Sequence, residues 1–318
     1  MAPLSCLSRT SLVLFLGVIP LLMILAMPSN FVLLAVLYVP PCVFAACVYR
    51  YRQRKHEQVD VDMLVRLFVG GLLPGIALAW LIELILAFLG GVIFFAMDTD
   101  HILSQIRDAR HHNTTTADAL AHLHIHNSFN IVFGLLFMSF LVAGSVEEYV
   151  KYWVVKGKSC IGSGLCVPDL TTHGVDPLFT IFCFASAGCG FATMENVCYT
   201  FVNPQLAVKI ETAILRGVIA TPFHMICTSI TAMRLLSTMQ NAPHIASVLA
   251  PAILLHGTFD FQAFIFALWF PSATVMAFCA SLLCMVIGGL YLNYLRCQIN
   301  WNYQVLEDAD DKVALQIV

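Results

Sequence analysis

Long apolar runs make up most of the chain, and short polar stretches separate them. A helix needs roughly 20 apolar residues to cross the hydrocarbon core of a bilayer. Eight runs reach that length or come close, so the pattern predicts an all-α, polytopic bundle of transmembrane helices. The predicted spans are Thr10–Met27, Phe31–Tyr49, Leu64–Met97, Phe129–Val155, Pro177–Val202, Ala213–Met233, Ile245–Phe270 and Ser272–Leu295.

Two of these spans differ from a simple transmembrane helix. Leu64–Met97 is longer than one crossing needs, and its glycines and proline between residues 70 and 75 favour a kink or an interfacial start. Thr10–Met27 has an alternative interpretation as a cleaved signal peptide, because Arg9 precedes it. We favour a spanning helix, since the apolar stretch is long for a signal peptide.

The composition favours the same class of protein. Hydrophobic residues make up 59% of the chain and charged residues 11%, whereas a soluble domain carries about 25% charged residues. The net charge of −3 gives no basic field for nucleic acid. The 12 cysteines show no metal-binding or disulfide pattern. We therefore expect an integral, multi-pass protein of an endomembrane or the plasma membrane, with the lipid bilayer as its surroundings.

Basic residues indicate the orientation, because cytoplasmic loops are enriched in Lys and Arg. They follow the second, fourth, sixth and eighth spans, so both termini are predicted to be cytoplasmic. Residues 1–298 then form the membrane domain, and residues 299–318 form a short cytoplasmic tail. The loop 98–128 and the segment Asn203–Thr212 are predicted to be lumenal. The loop carries a possible glycosylation sequon at Asn113 and six of the eleven histidines, which we interpret as an exposed polar loop.

Ionisable residues inside the predicted spans are the first functional candidates, because a charge at mid-bilayer costs at least ~2.5–3.5 kcal/mol. Glu147, Glu148 and Lys151 can share one broad helix face. Two adjacent carboxylates in a low dielectric cannot both ionise cheaply, so one is expected to keep its proton. That pair suits a general base beside an acid. The alternative is a structural ion pair at the cytoplasmic end of the helix.

Three other spans carry further candidates. Glu195 lies in a helix that contains small residues, where a buried carboxylate can bind water or metal or contact a neighbouring helix. His224 lies near the middle of the sixth span. His256 and Asp260 are four residues apart, so they share a helix face and can converge on one water or cation. Arg216 lies near the lumenal end and is expected to snorkel, so we leave it out of the site, as we do Glu83.

These motifs, in this order and one per helix, resemble those of the PrsW family of intramembrane proteases. That family is similar to the larger CAAX prenyl protease and Abi superfamily. In the superfamily an Arg lies one position beyond Lys151, and a His takes the place of Glu195, so the chain resembles the PrsW side. The resemblance covers about Ser139–Asp260, within a motif-bearing core of about residues 129–270. The motifs are Glu147-Glu148-Tyr149-Val150-Lys151, Gly190-Phe191-Ala192-Thr193-Met194-Glu195-Asn196, His224, and His256-Gly257-Thr258-Phe259-Asp260.

The resemblance implies hydrolysis of a peptide bond in a transmembrane protein substrate by an activated water. Glu147 or Glu148 would be the general base, tuned by the other carboxyl or by Lys151. Helix rise puts Glu195 at a different depth from His224, so Glu195 fits this site least well.

The resemblance also implies roles for the two histidines. His224 and His256 would hold the water or stabilise the oxyanion, and Asp260 would orient His256. In a metal variant, both histidines and a carboxylate would hold Zn²⁺. We expect no stoichiometric zinc, although the residues fit either variant.

Two other classes of function remain open at this point. Buried Glu, His and Asp also form proton or cation pathways in transporters and channels. The two halves of the chain show no repeat of the kind that many transporters have. A catalytically inactive scaffold of protease ancestry would keep the same motifs. The substrate and the oligomeric state do not follow from the sequence.

Overall fold

The structure is a computed structural model, and it describes residues 4–55, 60–95, 128–156, 177–202, 204–238, 244–270 and 273–316. Within these ranges the chain is almost entirely helical and contains no strand. Eight of its helices are long and apolar enough to cross a membrane, which confirms the predicted class. Residues 98–127 of the predicted lumenal loop, including the sequon and the histidines, lie outside the described residues. The orientation stays a prediction.

Four of the eight helices are regular, and four contain a π-helical segment. The regular helices are α2 (Asn30–Lys55), α5 (Pro177–Val202), α7 (Ile245–Trp269) and α8 (Thr274–Gln316). The others, each with its π-helical part, are α1 (Cys6–Ala26, with Leu14–Val18), α3 (residues 61–95, with Gly71–Gly75), α4 (residues 128–156, with Phe137–Ser145) and α6 (residues 206–238, with Arg216–Ala220). The π-helical part of α3 contains two of the glycines and the proline that lie between residues 70 and 75, and the predicted kink or interfacial start stays a prediction.

The predicted start of the sixth span is wrong. Helix α6 begins at Leu206 and not at Ala213, so most of the predicted lumenal segment 203–212 is helical. On the helix, Lys209 lies over the ring of Phe201, while Ala213 packs into a small apolar cluster.

The chain divides into two units, which we describe separately. Unit 1 contains Met1–Ile76, Lys151–Pro251 and Met285–Val318. Unit 2 contains Ala77–Val150 and Ala252–Cys284. Helices α3, α4, α7 and α8 therefore contribute residues to both units.

Helix α5 is at the centre of unit 1, and small residues bring its neighbours close to it. A Cβ atom on Gly71 of α3 would collide with the carbonyl oxygen of Ala187. A Cβ atom on Gly190 of α5 would collide with the carbonyl oxygen of Phe68. Small residues allow such close backbone approach between membrane helices. The apolar core of the unit, which includes the fully buried Phe184, forms around this contact.

In unit 2 the close contact is between α4 and α7. A Cβ atom on Gly144 would lie 3.1 Å from the carbonyl oxygen of Ile253 and 3.2 Å from the backbone nitrogen of Gly257. A Cβ atom on Gly257 would collide with the ring of Phe140. The two helices therefore meet backbone to backbone, immediately beside the motif residues that each carries.

Candidate functional site

The first polar cluster lies in unit 2, where α4 meets α7. Glu147 and Glu148 belong to the first α-helical turn after the π-helical segment of α4. His256 follows on α7, one residue before Gly257. The side chains of Glu147, Glu148 and His256 are 8%, 0% and 3% exposed, so these polar groups lie in a nearly solvent-free environment.

Carboxylates face both ring nitrogens of His256. Its Nδ1 atom lies 2.9 Å from Oε1 of Glu148, which is a hydrogen-bond distance. Its Nε2 atom lies 3.5 Å from Oδ2 of Asp260 and 3.7 Å from Oε2 of Glu147. Glu148 thus contacts the ring at Nδ1, while Nε2 faces Asp260 and Glu147, and the orienting role of Asp260 stays a prediction.

The second polar cluster lies in unit 1 and surrounds His224 of α6. Nζ of Lys151 lies 2.7 Å from Nδ1 of His224, and Oε2 of Glu195 lies 2.9 Å from Nε2. Lys151 is almost fully buried, and its ammonium lies 4.5 Å from the centre of the Phe191 ring. A buried cation is stabilised by such a ring and by a polar partner.

The structure brings Glu195 and His224 together, although helix rise had placed them at different depths. Helix rise compares backbone positions, whereas Glu195 reaches His224 with its side chain. The same carboxylate also contacts Arg216, whose Nη2 atom lies 2.8 Å from Oε1 of Glu195.

Arg216 is the residue that our sequence analysis missed. We expected it to snorkel, but it is only 23% exposed, and its Nε atom donates to Oδ1 of Asn196 at 2.8 Å. A signal was present in the sequence. Glu195 and Arg216 lie at similar distances along the sequence before and after the turn at Pro204. Two neighbouring antiparallel helices joined by that turn would therefore bring the two residues together.

Two pairs of donor atoms in unit 2 lie at distances typical of neighbouring zinc ligands. Zinc bonds to His nitrogen and carboxylate oxygen at about 2.0–2.2 Å in a tetrahedral arrangement, so its ligand atoms lie about 3.4 Å from one another. The distances of 3.5 and 3.7 Å from His256 Nε2 to Asp260 and Glu147 are close to that value. A carboxylate on the other ring nitrogen, as Glu148 provides, is typical of zinc-binding histidines.

The partners of His224 differ from those of His256. Both ring nitrogens of His224 are in contact with other side chains, Nδ1 with Lys151 and Nε2 with Glu195. A metal needs a ring nitrogen with a free lone pair. This arrangement therefore favours a hydrogen-bonding role for His224.

Helices of membrane-spanning length and two buried Glu/His clusters define a multi-pass membrane protein with a polar interior. Residues 62–288 of the 318 match a family model described as "PrsW family intramembrane metalloprotease". The match covers more than half of the chain, so the chain belongs to the PrsW family. All seven site residues predicted from the sequence lie inside the matched range.

A curated relative points to the same family. Protease PrsW of Clostridioides difficile (strain 630) is 32% identical over 154 residues, which are 44% of this chain. The match spans 59% of the relative's length. No solved structure matches the chain.

Proposed function

We propose that the chain is an intramembrane endopeptidase that hydrolyses a peptide bond of a transmembrane protein substrate. Family membership supports the class of reaction. The observation that carries the proposal is His256, a buried imidazole with carboxylates at both ring nitrogens. A buried acid–base group of this kind is expensive in a membrane and is expected to be functional.

Glu147 is the general base in this proposal. Its Oε2 atom is 3.7 Å from Nε2 of His256, too long for a direct hydrogen bond but suited to a water that contacts both atoms. Proton transfer to such a carboxylate would activate that water for attack on a peptide carbonyl. Glu148 holds the imidazole by its other nitrogen, and Asp260 is a further acceptor beside Nε2.

The unit 1 cluster has an electrostatic role in this proposal. Attack on a peptide carbonyl develops negative charge on its oxygen, and positioned cationic donors stabilise that charge. Lys151 is a buried ammonium, held by His224, in the same helix as Glu147. The resemblance supports this role for His224, which contacts Lys151 and Glu195.

The same reaction can run with or without a metal. If zinc binds, Glu147 and His256 would be among the residues that hold it. A bound zinc ion would polarise the scissile carbonyl and acidify its water ligand. The assignments of Glu148 and of the unit 1 cluster are the same in both variants, and metal content distinguishes them.

The test compares Glu147→Gln and Glu148→Gln with Glu211→Gln, an exposed glutamate of α6. The variants are reconstituted in liposomes with a panel of single-span membrane proteins, and cleavage and protein level are both measured. Loss of a general base costs about 10²–10⁴-fold in rate. We expect Glu147→Gln to lose that much at a near-normal protein level and Glu211→Gln to lose nothing.

Two outcomes would contradict the proposal. Parental cleavage by both Glu147→Gln and Glu148→Gln would show that these residues are not the active site. A folded parent that cleaves nothing in the panel but moves protons or cations would be a transporter.

A further inference from the structure

The guanidinium of Arg216 is held by three side chains of one helix. Its Nε atom donates to Oδ1 of Asn196 at 2.8 Å, and its Nη2 atom lies 2.8 Å from Oε1 of Glu195. One turn further along α5, the ring of Tyr199 lies 4.1 Å from Cζ. Two hydrogen-bonding directions and a stacked ring fix both the position and the plane of a guanidinium.

The backbone of Arg216 is held by the same helix. Nδ2 of Asn196 donates to the carbonyl oxygen of Arg216 at 3.2 Å and to Oγ1 of Thr221 at 2.8 Å. Arg216 is also the first residue of the π-helical segment of α6, a widened turn that changes the direction in which side chains point. Asn196 therefore holds the Arg216 side chain and the widened turn together.

Glu195 uses one oxygen for each of two residues of α6. Oε1 faces Arg216, and Oε2 faces Nε2 of His224. A carboxylate oxygen at 2.9 Å favours the tautomer in which Nε2 of His224 carries the proton. Its Nδ1 atom then has a lone pair, which accepts a hydrogen bond from the Lys151 ammonium at 2.7 Å.

We propose that Arg216 is a positioning residue, which aims Glu195 at His224 and so fixes the tautomer in which His224 accepts a hydrogen bond from Lys151. Arg216 acts through Glu195 and is not itself catalytic. The expected effect on cleavage rests on the proposed function. The effect on the His224 tautomer does not rest on the proposed function. The proposal for Arg216 and the proposed function can therefore fail separately.

The first test reads the tautomer of His224. The full chain is labelled with ¹⁵N-histidine and studied by NMR in lipid nanodiscs, and the His224 signals are assigned by their loss in His224→Gln. We compare the parent with Arg216→Met and Arg216→Lys. The matched control is Arg66→Met, which breaks another arginine–carboxylate pair of unit 1, with Asp62 at 2.6 Å and similar exposure.

The parent and Arg66→Met should show one tautomer, with a protonated Nε2 and an unprotonated Nδ1. Arg216→Met should show a mixture of tautomers, and Arg216→Lys should keep most of the parental pattern because it keeps the charge. The proposal is overturned if the parent has the other tautomer or a doubly protonated ring, or if Arg216→Met leaves the pattern unchanged.

The second test measures cleavage of one single-span substrate that the parent cleaves. Groups that orient an active-site histidine are worth about 10–100-fold in activity. We expect Arg216→Met to lower kcat by that factor with little change in KM, and Arg216→Lys to recover part of the loss. Thermal unfolding, measured against Arg66→Met, corrects for lost stability. Parental kcat in a folded Arg216→Met overturns the proposal, whereas a parent that cleaves nothing contradicts only the proposed function.

Discussion

The two polar clusters use similar residue types but surround their histidines with different charges. His256 in unit 2 contacts three carboxylates, those of Glu147, Glu148 and Asp260. His224 in unit 1 has an ammonium on one ring nitrogen and a carboxylate on the other.

This difference in charge suggests different chemistry. An imidazole among carboxylates can exchange protons with them or share a metal cation with them, which suits acid–base catalysis or metal binding. An imidazole between a cation and an anion is fixed in one neutral tautomer, which suits holding another group in place. We propose that the unit 2 cluster carries the proton-transfer groups, whereas the unit 1 cluster holds its own histidine in place, and four predictions test that division.

The largest effect should follow removal of His256. The imidazole contacts all three carboxylates of its cluster, so His256→Ala removes a reacting group and the partner of Glu148 at once. We expect the cleavage rate to fall about 10²–10⁴-fold, as for loss of a general acid or base. The control is His244→Ala, an exposed histidine just before α7. If His256→Ala cleaves at the parental rate, the cluster around His256 takes no part in the reaction.

The next effect tests the close contact of α4 with α7. Gly144→Ala puts a methyl group 3.1 Å from the Ile253 carbonyl, so the helices must separate slightly and move Glu147 away from His256. A displacement of about 1 Å can cost about 10²-fold in rate. Gly91→Ala is the control, because a Cβ atom there meets nothing within 4 Å. Equal rates for the two variants would show that this contact does not position the site.

The third prediction concerns where a divalent metal binds. Zinc is titrated into chelator-treated protein, and its affinity is measured for the parent, His256→Ala and His224→Ala. We expect His256→Ala to weaken binding by about tenfold or more and His224→Ala to weaken it less, because His224 has the Lys151 amine on one nitrogen whereas His256 faces carboxylates on both.

The same experiment addresses our expectation from the sequence that the protein holds no stoichiometric zinc. About one tightly bound zinc per chain in purified protein would contradict that expectation. Stronger zinc loss in His224→Ala than in His256→Ala would contradict the division between the clusters.

The smallest effect should follow Asp260→Asn. Asp260 lies 3.5 Å from His256 Nε2, and its side chain is 23% exposed, so it is the most accessible carboxylate of the cluster. Asn can still form a hydrogen bond there. We expect a loss of about tenfold or less, well below the loss in Glu147→Gln. A loss equal to that of Glu147→Gln would make Asp260 an equal partner in proton transfer.

Features that depend on nearby residues could be predicted from the sequence. The eight spans follow from the lengths of apolar runs. The four motifs also indicated the family, which the match over residues 62–288 confirms. Spacing alone placed His256 and Asp260 on one face of one helix.

Only the tertiary structure decided which groups meet. Two contacts depend on how separate helices pack. Glu148 contacts His256, and Arg216 pairs with Glu195 and does not snorkel. The start of α6 at Leu206 also depends on packing between helices. Lys209 lies over the ring of Phe201, and Ala213 packs into an apolar cluster. Periodicity and hydropathy describe one helix at a time, whereas hydrogen bonds and ion pairs depend on distances of a few ångströms between helices.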